Sequence, residues 1–140
     1  MASSVYVETS VISYYTARTS RDVVTAARQT LTQEWWEDAR RRFELFVSVL
    51  VVEEAKAGGA EAAQRRLAAI SGLPILEIND AAEQLGKRLM DEGTIPSSRA
   101  EDALHISLAT VHGMDFLLTW NFRHINNAEM KARSGLLSRR

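Results

Sequence analysis

The 140-residue sequence contains no cysteine. That absence removes disulfide frameworks, thiolate zinc sites and thiol nucleophiles together, and it fits a reducing compartment. No apolar run approaches the ~20 residues that a membrane-spanning helix needs, and the first residues lack the charged-then-apolar pattern of a leader. A cytoplasmic location without membrane association is the resulting expectation. Charge of one sign is missing as well: 17 Lys and Arg stand against 18 Asp and Glu, for a formal net charge of −1. A global basic field of the kind that draws proteins onto nucleic acid is thereby excluded. Any nucleic-acid substrate would have to be attracted locally, for instance by a bound metal. Repeats, low-complexity tracts and linkers are absent, and the length suits a single domain over residues 1–140.

What is present is an ordinary balance of 46% hydrophobic and 25% charged residues, arranged as strands alternating with helices. Residues 4–8 alternate β-branched and aromatic side chains, the pattern of a strand, and VISYY then opens a short helix. Val24, Ala27, Leu31 and Trp35 recur at helical spacing through residues 21–42, which predicts an amphipathic helix. Its DARRRF end reads as a solvated, dipole-complementing terminus, and Trp35-Trp36 should place at least one ring in the core. FELFVSVLVV (43–52) predicts a second strand, followed by a helix stub opened by Glu53-Glu54 and closed at Gly58-Gly59. A helix over 60–71 ends at Gly72, and LPILEI (73–78) is a third strand. Asp80 and Glu83 predict a capping box for a helix over 81–92, with Ala82, Leu85 and Leu89 inward and Gly93 as its stop. Ser98 and Glu101 predict another, opening a nearly all-apolar helix to about His112. DFLLTW (115–120) is a fourth strand, and the tail from Asn126 looks helical. Strands alternating with helices imply parallel pairing. The expected fold is therefore a three-layer α/β/α sandwich around a small parallel sheet.

In such sheets ligands bind at the carboxyl edge of the strands. The residues that fall there end strands or lie in first turns of the helices: Glu8, Glu53-Glu54, Asp102 and Asn121. Each alone suits a helix cap or a dipole contact. Three of these positions carry acids, with no lysine or arginine placed by sequence to serve them all. Gathered at one edge they would repel unless a divalent cation neutralised them, and an oxygen-only set favours Mg²⁺ or Mn²⁺.

These residues resemble the PIN domain family, in particular the VapC-type ribonucleases of toxin–antitoxin pairs. The resemblance covers roughly residues 5–125. YVETSVISYY stands for the usual strand-one Asp-Thr/Ser-Ser, and SVLVVEEAKAG for a Ser-x5-Glu-x3-Gly pattern that selects Glu54 over Glu53. AEDALHISLATVHGMDFLLTWNFRHI matches the Asp-Ala helix, the Gly turn and the Leu-x-Thr-x-Asn/Asp ending. The resemblance implies a Mg²⁺- or Mn²⁺-dependent endoribonuclease acting on RNA phosphodiesters, with Glu8, Glu54 and Asp102 as metal-binding acids and Asn121 at the fourth catalytic position. It also implies a cognate antitoxin, a homodimer and a sheet of four or five strands.

Two departures from the family pattern stand out. Glu8 replaces aspartate, moving its carboxylate about 1.5 Å further from the backbone. Asn121 is neutral, so a second metal should be held more weakly. Thr9 or Ser10 would hold the metal shell or cap the first helix, and Arg99 and Arg123 are the nearest phosphate contacts. Three roles stay open for His124: metal ligand, phosphate contact or surface residue. His105 reads as a satisfied core histidine, His112 as a helix-end residue, and Trp120 as packed rather than stacked on a base. A catalytically weakened module that binds RNA or a protein partner without cleavage is the alternative function. A receiver-like module is disfavoured, because the third strand ends Glu77-Ile78-Asn79 and offers no phosphorylatable aspartate.

Overall fold

The computed structural model describes residues 2–121. The elements run β1 (Ser3–Val7), α1 (Thr9–Thr16), α2 (Val23–Arg42), β2 (Phe43–Ser48), α3 (Val49–Ala55), α4 (Ala60–Ile70), β3 (Ile75–Leu76), α5 (Asp80–Asp91), a single 3₁₀ turn (Ser97–Arg99), α6 (Ala100–Val111) and β4 (Phe116–Leu118). The four strands form one sheet in the order β3-β2-β1-β4. Every pairing is parallel, with Val5 opposite Leu45 on one side and Phe116 on the other. This is the expected parallel α/β architecture. The chain steps from β1 to β2 to β3 in one direction, then crosses back past both to place β4 beside β1. Right-handed crossovers put the helices of those two directions on opposite faces of the sheet, and the reversal makes a switch point between β1 and β4.

The main core gathers Tyr6, Ile12, Trp36, Val47, Val51 and Leu108. A smaller one of Leu89, Ile95, Ala103 and Ile106 lies between α5 and α6. Gly72 and Gly93 take left-handed φ values of +88° and +78°, as their reading as helix stops requires. Gly86 lets α5 approach α6: a Cβ there would stand 3.3 Å from Ser107 Oγ, itself bonded to the Ala103 carbonyl at 2.8 Å. Gly86→Ala should be near neutral, because the gain of about 1 kcal/mol in helix propensity offsets the crowding. Gly86→Leu should lose about 1–3 kcal/mol by overpacking. Urea denaturation of both variants checks the closeness of this contact.

Several local expectations are corrected. Residues 49–52 are helical rather than strand, because Ser48 Oγ accepts the Val51 N–H at 3.2 Å and caps α3. Glu53 and Glu54 consequently lie in the last turn of that helix, not its first. The buried face of α2 is Gln29, Thr32, Trp36 and Ala39, whereas Val24 and Leu31 are 59% and 57% exposed. The ring of Trp36 sets this rotation by stacking on Tyr15 at 4.7 Å. Burial of Gln29 is tolerated because its amide accepts from the Ser20 N–H and donates to the Arg18 carbonyl, both at 2.9 Å.

The caps also shift. Helix α5 is capped by Asn79, whose side chain accepts the Ala82 N–H, so no Asp80–Glu83 box forms. Helix α6 has no side-chain cap, and Ser98 lies in the 3₁₀ turn ahead of it, so the Ser98–Glu101 box is not formed either. The arginines at the end of α2 are solvated as expected, with Arg42 pairing with Asp38 at 2.7 Å. No helix among the described residues is long and apolar enough to cross a membrane. Arg123, His124, the tail expected to be helical and any expected fifth strand lie outside the described residues.

Candidate active site at the carboxyl edge of the sheet

Glu8 is the first residue past β1 and is 9% exposed. Its N–H bonds the Leu118 carbonyl at 3.1 Å, which carries the β1–β4 pairing up to the switch point. Its Oε1 accepts from Ser10 Oγ at 2.5 Å and from Thr119 Oγ1 at 2.7 Å. Ser10 Oγ in turn accepts the Trp120 N–H at 3.0 Å. Glu54 arrives from the end of α3, where its Oε1 accepts from Thr9 Oγ1 and from His105 Nε2, the latter at 2.8 Å. The candidate ligand atoms of Glu8, Glu54 and His105 all lie within 4.8 Å of one another.

Asp102 stands in the first turn of α6. Its Oδ1 accepts from Asn121 Nδ2 at 3.0 Å, while its Oδ2 is buried and has no partner among the described residues. Asp102 is not a member of the close set of Glu8, Glu54 and His105. Thr9 and Ser10 each donate to a glutamate instead of capping α1, whose N-terminus has no side-chain cap. Arg99 is exposed at the N-terminus of the helix that carries Asp102. Trp120 is packed as expected: its Nε1 donates to Thr32 Oγ1 at 2.9 Å, Tyr14 lies 5.6 Å away, and the Arg28 guanidinium sits 5.3 Å from the ring centre. His112 caps the end of α6 and bonds the Glu77 carbonyl at 2.8 Å.

Burial pushes the Glu54 carboxyl up, but the hydrogen bonds it accepts from His105 and Thr9 favour the ionised form and leave the group below its usual range. A depressed folded value stabilises the fold above the unfolded value, and that contribution is lost as pH falls through the depressed one. In EDTA, the stability gap between wild type and Glu54→Gln should therefore shrink as pH drops from neutral to below the usual carboxylate range. Denaturant melts across that window measure it.

Each of the three acids has one oxygen held by hydrogen bonds and one without a hydrogen-bond partner among the described residues. No lysine or arginine among the described residues pairs with any of them. Anchored carboxylates without a cationic partner suit a hard divalent cation, so the donor set fits Mg²⁺ or Mn²⁺.

His105 is the site residue that sequence reasoning undervalued. It is a satisfied core histidine, 2% exposed, as expected, yet it also touches Glu54. Tyr6 and Ser48 join it: the Tyr6 hydroxyl lies 2.6 Å from His105 Nδ1 and 2.8 Å from Ser48 Oγ. Burial raises the Tyr6 phenol well above its usual range, so it stays protonated. The signals were there in the spacing. His105 follows Asp102 by one helical turn, and Tyr6 precedes Glu8 by two strand residues, so each shares a face with an acid.

A family model described as PIN domain matches residues 5–129. No curated protein matches the chain.

Proposed function

The chain belongs to the PIN domain family, and on that premise we propose that it is a divalent-metal-dependent endoribonuclease, the toxin of a VapC-type toxin–antitoxin pair. The observation that carries this reading is the common state of Glu8, Glu54 and Asp102: one oxygen anchored, the other uncommitted, and no cationic side chain to neutralise them. Glu8, Glu54 and Asp102 would hold a Mg²⁺ or Mn²⁺, which would supply charge neutralisation at the phosphodiester and favour deprotonation of water. The chain's own residues supply position. Ser10 and Thr119 fix the Glu8 carboxylate, which offsets the freedom of its extra methylene relative to aspartate. Thr9 and His105 fix Glu54, and Asn121 fixes Asp102 through its amide. A carboxylate already oriented loses little freedom when a cation or phosphate arrives.

With a net charge of −1, RNA is drawn by the cation and by local bases rather than by the whole surface. Arg99, Arg123 and His124 are assigned to the phosphate path on this reading. A cognate antitoxin, a homodimer, a single PIN unit over residues 1–140 and a cytoplasmic location complete the proposal. The test is incubation of the purified protein with single-stranded RNA and Mn²⁺ or Mg²⁺. Cleavage that stops on adding EDTA supports the reading, and cleavage that persists in EDTA contradicts it. The neutral Asn121 amide on Asp102 also suits a weakened module that binds RNA or a protein partner. That alternative expects RNA or partner binding without cleavage at every metal concentration.

A further inference from the structure

We infer that His105 is a positioning residue for Glu54, held as its Nε2–H tautomer by a one-way hydrogen-bond chain through Tyr6 and Ser48, and that it donates to the carboxylate rather than ligating the cation. The consequence for cleavage rests on the nuclease reading above; the tautomer does not.

Proximity alone leaves His105 ambiguous, since a ring nitrogen lies within 4.8 Å of a carboxylate oxygen of both glutamates. The donor and acceptor count resolves it. An ionised carboxylate only accepts, so the His105 nitrogen 2.8 Å from Glu54 Oε1 must carry the proton. The neutral ring then presents Nδ1 as an acceptor, and the Tyr6 O–H donates to it at 2.6 Å. The Tyr6 oxygen is free to accept, and Ser48 O–H donates to it at 2.8 Å. Ser48 Oγ closes the chain by accepting the Val51 N–H at 3.2 Å.

Reversing the chain fails at both ends. Nδ1–H would donate to Tyr6, and Tyr6 to Ser48, leaving the Ser48 proton with no acceptor at a fully buried position. The bare Nε2 would meanwhile face a carboxylate lone pair. Tyr6, Ser48 and His105 are all buried at 2% exposure or less, so solvent is a poor substitute partner. With Thr9 and His105 both on Oε1, the other Glu54 oxygen is the one left for a cation. The chain also ties together the parts of the fold that bring in the acids. Tyr6 lies on β1 two residues before Glu8, Ser48 caps the helix whose last turn carries Glu54, and His105 lies one turn beyond Asp102.

Imidazole ¹⁵N–¹H correlation spectra of the labelled wild-type protein at neutral pH test this directly, first metal-free and then with saturating Mg²⁺. The His105 signals, assigned by their loss in His105→Gln, should show a proton on Nε2 and none on Nδ1 in both states. A proton on Nδ1, or loss of the Nε2 proton when Mg²⁺ is added, overturns the inference. Variants supply the functional half. His105→Leu should lower the kcat for RNA cleavage on the order of 10–100-fold with KM little changed. His105→Gln, whose amide N–H reaches toward the same oxygen, should recover most of that loss. Equal activity of the Gln and Leu variants, each shown folded by its melting curve, overturns it too. If the wild type cleaves no RNA, the nuclease reading fails by itself. The spectra then still decide the tautomer, and Mn²⁺ affinity replaces kcat as the readout for the two variants.

Discussion

Glu54→Gln is expected to lower metal-dependent RNA cleavage by on the order of 10²-fold or more, since cation contacts supply several kcal/mol of charge stabilisation in such reactions. Glutamine keeps an acceptor oxygen at the place where Thr9 and His105 donate, so the hydrogen bonds and the end of α3 should survive. What disappears is one formal charge from a cluster that has no lysine or arginine to neutralise it. Asp102→Asn removes the corresponding charge on α6 while keeping an acceptor for the Asn121 amide, and it should behave alike. Initial rates on a short RNA in Mn²⁺, with melting curves alongside, separate lost chemistry from lost fold. A loss below tenfold in both variants would mean that neither carboxylate holds the cation.

Trp36→Ala should have the largest effect on stability, about 3–5 kcal/mol. Trp36 is fully buried, stacks on Tyr15 at an interplanar angle of 17°, and lies in the cluster that joins α1 and α2 to the sheet. Its indole Nε1 is buried without a partner among the described residues. Trp36→Phe, which discards that N–H and keeps a ring, should therefore lose much less than Trp36→Ala. By contrast, Leu31→Ala on the exposed face of the same helix should change stability by no more than about 0.5 kcal/mol. Denaturant unfolding of the three variants tests the rotation of α2. If Leu31→Ala were as damaging as Trp36→Ala, the helix would be turned the other way.

That rotation marks a boundary of what was legible in the sequence. Val24, Ala27 and Leu31 share a helical face by spacing, yet two of the buried positions on α2 are Gln29 and Thr32. Their burial depends on Ser20, Arg18 and Trp120, contacts made only once the chain has folded. The start of α3 was hidden for a related reason. V-L-V-V is as β-branched as a strand, and the deciding contact is a single serine cap at Ser48. The parallel order and the glycine stops were legible because they follow from local period and from topology. Of the acids expected at the carboxyl edge, Glu8 and Glu54 come within 4.8 Å of each other, while Asp102 stands outside that set. The choice of Glu54 over Glu53 came through the family pattern, and the structure sets Glu54 against His105 and Thr9 while Glu53 pairs with Lys56 on the surface. For Tyr6 and His105 the spacing sets each on a face with an acid, but their role was not legible, because the partners that define it come from other elements.

The central claim is that Glu8 and Glu54, with Asp102, hold a divalent cation. The most direct test is calorimetric titration of Mn²⁺ into the wild-type protein, Glu8→Ala and Glu54→Gln at one pH and ionic strength. Saturable binding by the wild type, weakened at least tenfold in each variant, is the expected result. Equal binding by all three proteins, or none by the wild type, would contradict the account.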